Sequence, residues 1–307
     1  MENNGLKTFN PKDIISEEID MKSIIDELFN SLKEDEEVYE LIKPFGLTNK
    51  QVRENIGRLN DFKEDYNVCK NCPGYDKCPK AEKHISMYVA KDGNYIKTAF
   101  QPCPKALEKA RLDAKYVFSD FPSDWKKSTL KKLDLSENRR PVIKEFINIA
   151  KGKSNRWIYL TGNHKVGKSY ILVTFANEYI AMGLGQVGII NAVTKFKELA
   201  DVSFKEKEYF KSQMNALINV PLLVIDDFGE EYKNEFIRDQ IVIPVLSERN
   251  HNNRPTFFSS DFTIKEIEKL YSVGKNGGDI RGKQLGKILL EMCEKEFDLT
   301  GASIYRK

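Results

Sequence analysis

The octapeptide Gly162-Asn163-His164-Lys165-Val166-Gly167-Lys168-Ser169 constrains this chain more than any other stretch. It has the form G-x-x-x-x-G-K-S and sits between an apolar run, Trp157 to Thr161, and an apolar-striped stretch that begins at Ser169. The glycines let the backbone curl so that N–H groups point inward at an anion. Lys168 then faces the β and γ phosphates, and the Ser169 hydroxyl is a magnesium ligand. Residues 162–169, with Tyr170 next on the helix, are therefore expected to hold ATP and Mg2+. His164 occupies a variable position and carries no assigned chemistry.

The pattern around the loop alternates between helical and strand periods. Helices are expected over 142–150, 169–182, near 195–199 and near 237–250; strands over 157–161, 187–191, 222–226 and 256–259. Short apolar strands separated by helices imply an α/β fold with a mostly parallel sheet covered on both faces. Ligands of such sheets bind at the carboxyl ends of the strands. Leu222-Leu223-Val224-Ile225 ends in Asp226-Asp227, which places two carboxylates at that edge. Asp226 is the expected magnesium residue, and Asp227 the water-activating carboxylate, with Glu231 as second candidate.

Composition bounds the remainder. The chain has 307 residues, enough for two domains. Its 49 Lys+Arg against 46 Asp+Glu leave a net charge of +3, which excludes a basic nucleic-acid coat and an acidic tail protein. No apolar run is long enough to span a membrane, and Met1 to Phe9 lack a secretory pattern, so a cytoplasmic protein is expected. Four of five cysteines, Cys69, Cys72, Cys78 and Cys103, fall within 35 positions, while Cys293 stands apart. Tight local spacing without a leader favours metal over disulfides. A structural Zn2+ held by these four thiolates is expected, with His84 the competitor for one place.

Ahead of the cysteines, Ile24, Ile25, Leu28, Phe29 and Leu32 recur at helical spacing. Thr48 and Gln51 form a helix-start signal before Val52, Ile56 and Leu59. These stripes read as the core of a small helical domain. The expected organisation is 1–105 as a zinc-binding, partner-binding domain, 106–135 as a linker and 136–307 as the ATPase. Lys195-Phe196-Lys197 is a local candidate for single-stranded DNA contact, cations beside an aromatic. The basic run from Lys126 to Arg140 reads as a charged surface.

Leu222–Glu231 (LLVIDDFGEE), Phe236-Ile237-Arg238-Asp239, Ser247-Glu248-Arg249 and Arg254 to Phe262 are arranged as in AAA+ ATPases. More narrowly they resemble the DnaC/DnaI-type helicase-loader clade, and the cysteine cluster followed by an ATPase fits the same family. The resemblance implies an ATP-dependent loader that places the replicative hexameric DNA helicase on single-stranded DNA during replication initiation or restart. It matches Lys168 and Ser169 to the phosphate loop and Asp226 and Asp227 to the metal and catalytic carboxylates. Arg249 matches the arginine before the sensor strand, and Arg238 the family's Arg-Asp dipeptide. The family's polar sensor is usually Asn; here it is Asp261, which cannot donate a hydrogen bond when ionised. The last helix has no arginine over Gly286–Glu291, so Arg281 is the candidate finger, acting across a subunit boundary in a homo-oligomer. These departures imply weak ATPase activity. The 46 residues after Asp261 are too few for a lid plus a duplex-reading helix-turn-helix, unlike an origin-reading initiator. Two alternatives stand beside the loader: a transposition-type DNA-binding ATPase of the same clade, and a nucleotide-binding adaptor with weak hydrolysis.

Overall fold

Ile25, Leu28, Phe29 and Leu32 share one face of α1 (Met21–Glu34), whose first turn is capped by Asp20. Asp35 caps α2 (Glu36–Ile42) in turn. The structure, a computed structural model, describes residues 20–93, 95–133, 136–275 and 277–299. The chain divides between Arg111 and Leu112 into two units; the start of the chain, Met1 to Phe9, lies outside the described residues.

In the first unit Thr48 and Gln51 form the reciprocal capping box expected of them, at the start of α3 (Asn49–Glu54). The stripe through Val52, Ile56 and Leu59 continues into α4 (Ile56–Lys70) across a break at Asn55. Asn55 is buried; its side-chain amide donates to the Gln51 carbonyl, and its Oδ1 accepts the Ile96 N–H at 2.9 Å. That bond ties the helices to an antiparallel hairpin of β1 (Ile85–Asp92) and β2 (Tyr95–Pro102). Phe29, Leu32, Val38, Leu59, Phe62 and Ile96 form the core. The front unit is thus helical plus a hairpin, not helical alone.

α5 (Pro104–Asp113) is followed by β3 (Tyr116–Ser119), which pairs parallel with β5 (Val187–Asn191) in the main sheet. The span expected as a linker, 106–135, therefore supplies an edge strand. Residues beyond it are stitched to α7 (Lys168–Ala181). The Asn177 amide donates to the Trp125 and Ser128 carbonyls, and Glu178 accepts the Leu130 N–H at 2.9 Å. Partly buried polar bonds of this kind hold a segment in place, which a linker lacks.

The second unit is built on six parallel strands in the order β3, β5, β6 (Leu222–Asp226), β7 (Thr256–Ser259), β4 (Ile158–Thr161) and β8 (Glu296–Asp298). Side chains alternate between faces. Leu222 and Val224, with Ile158, Leu160 and Phe257, join a core around α6 (Arg140–Ala150) and α7. Leu223 and Ile225, with Tyr159 and Phe258, join the opposite core. That second core also takes in α8 (Ala192–Val202), α9 (Lys207–Asn219), a π-helical turn over Ile237–Val242 and α10 (Ile243–His251). After β7, α11 (Ile264–Leu270) and α12 (Gly278–Cys293) pack together before β8. Every strand expected from the sequence is present, and β3 and β8 are added. Among the described residues no helix is long and apolar enough to cross a membrane. The order has one consequence for the site: β7 stands between the loop strand β4 and the carboxylate strand β6, so its carboxyl end reaches both.

Candidate nucleotide-binding site

Residues 162–167 leave β4 and enter α7 through three left-handed positions, Gly162 (φ 135°), Lys165 (φ 67°) and Gly167 (φ 94°). These turns, with the free N–H groups and positive dipole end of a 14-residue helix, make a cradle for an anion. Val166 anchors the loop by burying its side chain in the core beneath, and Arg139 donates to its carbonyl at 3.2 Å. Asn163, His164 and Lys165 are exposed at the rim. Tyr170 faces away from chemistry, packed edge-on against Trp125 at 5.4 Å between ring centres.

The Lys168 side chain is 6% exposed. Its ammonium donates to the carbonyls of Gly162 (2.8 Å) and Asn163 (3.2 Å) and to Oδ1 of Asp261 (2.5 Å). Asp226, half-buried at the end of β6, accepts a hydrogen bond from the Ser259 hydroxyl, and the Ser169 hydroxyl lies near enough to lower its pKa. Burial pushes its carboxyl above the ordinary range, and the Ser259 hydroxyl opposes that shift. The two expected magnesium residues, Ser169 and Asp226, thus stand near each other. Adjacent hydroxyl and carboxylate oxygens suit a small hard cation, and the cradle suits a triphosphate. The residues present therefore fit ATP and Mg2+.

Asp227 follows in a left-handed conformation (φ 54°), uncommon for a residue with a side chain. Two contacts hold it there. Its N–H donates to Ser259 Oγ at 3.0 Å, and its Oδ2 accepts from the Asn191 amide at 2.9 Å. Strain of this kind gathers at functional sites. Asn191 and Ser259 were not among the residues expected from the sequence. The signal for both was a polar residue closing an otherwise apolar strand; Asn191 lies opposite Asp226 in the β5–β6 register.

No protein-family model matches the chain. A Bacillus subtilis (strain 168) protein described as replicative helicase loader DnaI is 25% identical over 260 residues, covering 80% of this chain and 78% of that protein. The match is longer than the whole second unit and so extends into the first. The chain is thus similar to a DnaI-type helicase loader over most of its length. A solved structure of DnaI superimposes with a TM-score of 0.54 at 23% identity, over 60% of this chain and 97% of that one. A Streptococcus pyogenes serotype M3 protein assigned to the primosome gives 0.51 at 21%, over 65% and 100%. Both likenesses bear on the α/β fold alone.

Several residues singled out in the sequence stand away from the loop. Glu231, the second water-activating candidate, is buried: Tyr271 donates its hydroxyl to one oxygen, and the Gly229 N–H reaches the other at 2.8 Å. It pins the turn after β6 and faces no water. Arg249 is fully buried and donates to backbone carbonyls on the far side of the sheet's strands. Arg238 clasps the Tyr271 and Val273 carbonyls and forks onto Asp239. Arg281 is half exposed; it bonds Gln284 at 2.9 Å and stands 3.9 Å from Asp239. The DNA-contact candidate does not survive: Phe196 is a core residue, and Lys195 is buried against Glu198 and Gln213. Only Lys197 of that tripeptide is exposed.

In the first unit Cys69, Cys72, Cys78 and Cys103 all line one apolar cavity of about 440 Å³. Among the described residues no group of three or more His, Cys, Asp or Glu side chains is set to hold a metal, and the four-thiolate tetrahedron expected from the spacing is not shown. The sulfurs are nonetheless placed among donors. Cys78 receives the backbone N–H groups of His84 and Lys80, which hold its thiol below the ordinary range, and Cys103 accepts from Ala106 N–H at 3.4 Å. The donors at Cys78 favour its thiolate. The His84 ring stacks on Tyr75 at 3.7 Å, and its Nδ1 is buried without a hydrogen-bond partner.

Proposed function

We propose that this chain is an ATP-controlled loader of the replicative hexameric helicase onto single-stranded DNA, active in the cytoplasm during replication initiation or restart. One observation carries the reading: the sequence match to a replicative helicase loader runs past the ATPase unit into the cysteine-bearing front unit. A transposition-type ATPase without such a front unit does not account for that extent. The front unit is the helicase-docking part, and the second unit times its grip.

Bound ATP with Mg2+ supplies the phosphoanhydride whose cleavage resets the loader. Lys168 and the loop N–H groups orient the phosphates, and Ser169 with Asp226 takes the cation. Asp227, held by Asn191, polarises the attacking water. Arg281 reaches the nucleotide of a neighbouring copy in a homo-oligomer, so turnover follows assembly. With Asp261 at the sensor position, hydrolysis is weak. The test is co-purification with a replicative helicase in ATP, in ADP and without nucleotide; no complex in any state removes the proposal.

Zn2+ on Cys69, Cys72, Cys78 and Cys103, with His84 as competitor for the fourth place, braces the docking unit. Support comes from the shared cavity and the N–H donors at Cys78 and Cys103. Cys72→Ser is then expected to empty the site, unfold the front unit and abolish helicase capture, since binding of structural zinc is folding free energy of order 10 kcal/mol. Nucleotide binding by the second unit should persist. Metal analysis of the intact chain checks this: zinc content equal in wild type and variant refutes the assignment.

A further inference from the structure

We propose that Asp261 is a specificity-determining residue of the nucleotide site: its carboxylate occupies the Lys168 ammonium in place of a terminal phosphate and biases the loop toward diphosphate. The proposal rests on the nucleotide-binding reading above and concerns which nucleotide is preferred.

An ammonium has three N–H donors. All three are engaged within the chain, by Gly162 and Asn163 carbonyls and by Asp261 Oδ1, the shortest contact at 2.5 Å. The first two acceptors are neutral and belong to the loop itself. Asp261 is the charged one, and it comes from a different strand. With the lysine side chain 6% exposed, a phosphate oxygen reaches Nζ only by displacing an acceptor.

The carboxylate is also held in place. Asp261 lies two residues past the end of β7, next to Ser260, whose Oγ donates to the Phe228 carbonyl at 2.6 Å and accepts the Phe262 N–H at 3.0 Å. Its neighbours on either side are therefore braced, and its second oxygen faces His164 Nδ1 at 3.9 Å. A β-phosphate seated on the loop and α7 N–H groups can leave the Lys168–Asp261 pair intact. A γ-phosphate brings further negative charge against a carboxylate that already holds the lysine, and like charges set side by side discriminate between ligands. Asparagine at 261 keeps the shape, removes the charge and presents an N–H donor.

Calorimetric titration of the full chain with ADP and with the non-hydrolysable AMPPCP, both with Mg2+, tests this in wild type, Asp261→Asn and Asp261→Ala. Thermal melting of each protein verifies folding. Wild type is expected to bind ADP about tenfold more tightly than AMPPCP, and both variants to gain about tenfold for AMPPCP and less than about threefold for ADP. The alanine variant separates removal of the charge from the gained amide donor. AMPPCP affinity unchanged or weakened in Asp261→Ala, or equal gains for both nucleotides, overturns the proposal and leaves nucleotide binding standing. No heat from either nucleotide in any of the three folded proteins overturns the phosphate-loop reading itself.

Discussion

Lys168→Ala is expected to weaken ATP–Mg2+ binding by at least about a hundredfold, close to 3 kcal/mol, and to abolish any turnover. The lysine is the cation at the centre of the cradle; without it the phosphates keep the Mg2+ that Ser169 and Asp226 would hold, the backbone N–H donors and the helix dipole, the last worth about 0.3–2 kcal/mol. Stability should change little. The Asp261 side chain is one-third exposed, so water replaces the lost ammonium, and pairs open to solvent contribute about 0–1 kcal/mol. The two readouts thus separate: calorimetry should show the loss while the melting curve of the second unit stays in place. An affinity within about threefold of wild type would refute the loop as the phosphate site. Helicase capture adds a further readout. If nucleotide times the grip of the front unit, Lys168→Ala should bind helicase identically in ATP and ADP.

Which parts of this molecule were legible in the sequence follows from how local their causes are. The phosphate loop was, because its glycines and lysine act within eight residues. So was β6, because four apolar residues ending in two carboxylates, a weak signal alone, gain their meaning from the phosphate loop upstream. The grip on Asp227 was not. Asn191 and Ser259 become its partners through the β5–β6–β7 register, which pairs residues more than thirty positions apart. Glu231 was misread for the same reason: its burial comes from Tyr271, forty positions downstream. Periodicity also leaves phase open. Lys195-Phe196-Lys197 reads equally as a solvated or a buried turn, and the phase that places Phe196 in the core carries Lys195 inward with it. β3 is four residues long amid charged neighbours, too short for its alternation to stand out. The cysteine spacing was read as a zinc site; what the described residues show is a cavity that the four cysteines line together.

Arg249 carries the second prediction, and here the effect is on folding. Its guanidinium, fully buried, donates to the carbonyls of Leu217, Ile218 and Val220 where α9 ends. It also reaches Pro255 at 2.7 Å and Thr256 Oγ1 at 2.9 Å where β7 begins. Burial draws its pKa down to about 9, so it remains a cation at neutral pH. A cation at a helix carboxyl end meets the carbonyls that the helix leaves unpaired. No acidic partner is among these contacts; the planar fork is matched by backbone oxygens instead, a geometry lysine cannot reproduce. Arg249→Leu removes every donor at once and strands buried carbonyls at about 1–3 kcal/mol each. A total loss of about 3–5 kcal/mol is expected, which for a unit of this size lowers Tm by about 10 °C. Arg249→Lys should recover part of the loss, because one ammonium can serve three of the oxygens. A Tm within about 2 °C of wild type for the leucine variant would mean that water or Arg254, which already donates to Ile218 O at 2.8 Å, takes over the end of α9. Nucleotide affinity of the surviving folded fraction should be unchanged, since the clasp lies at the amino ends of β6 and β7 while Asp226 and Ser259 stand at their carboxyl ends.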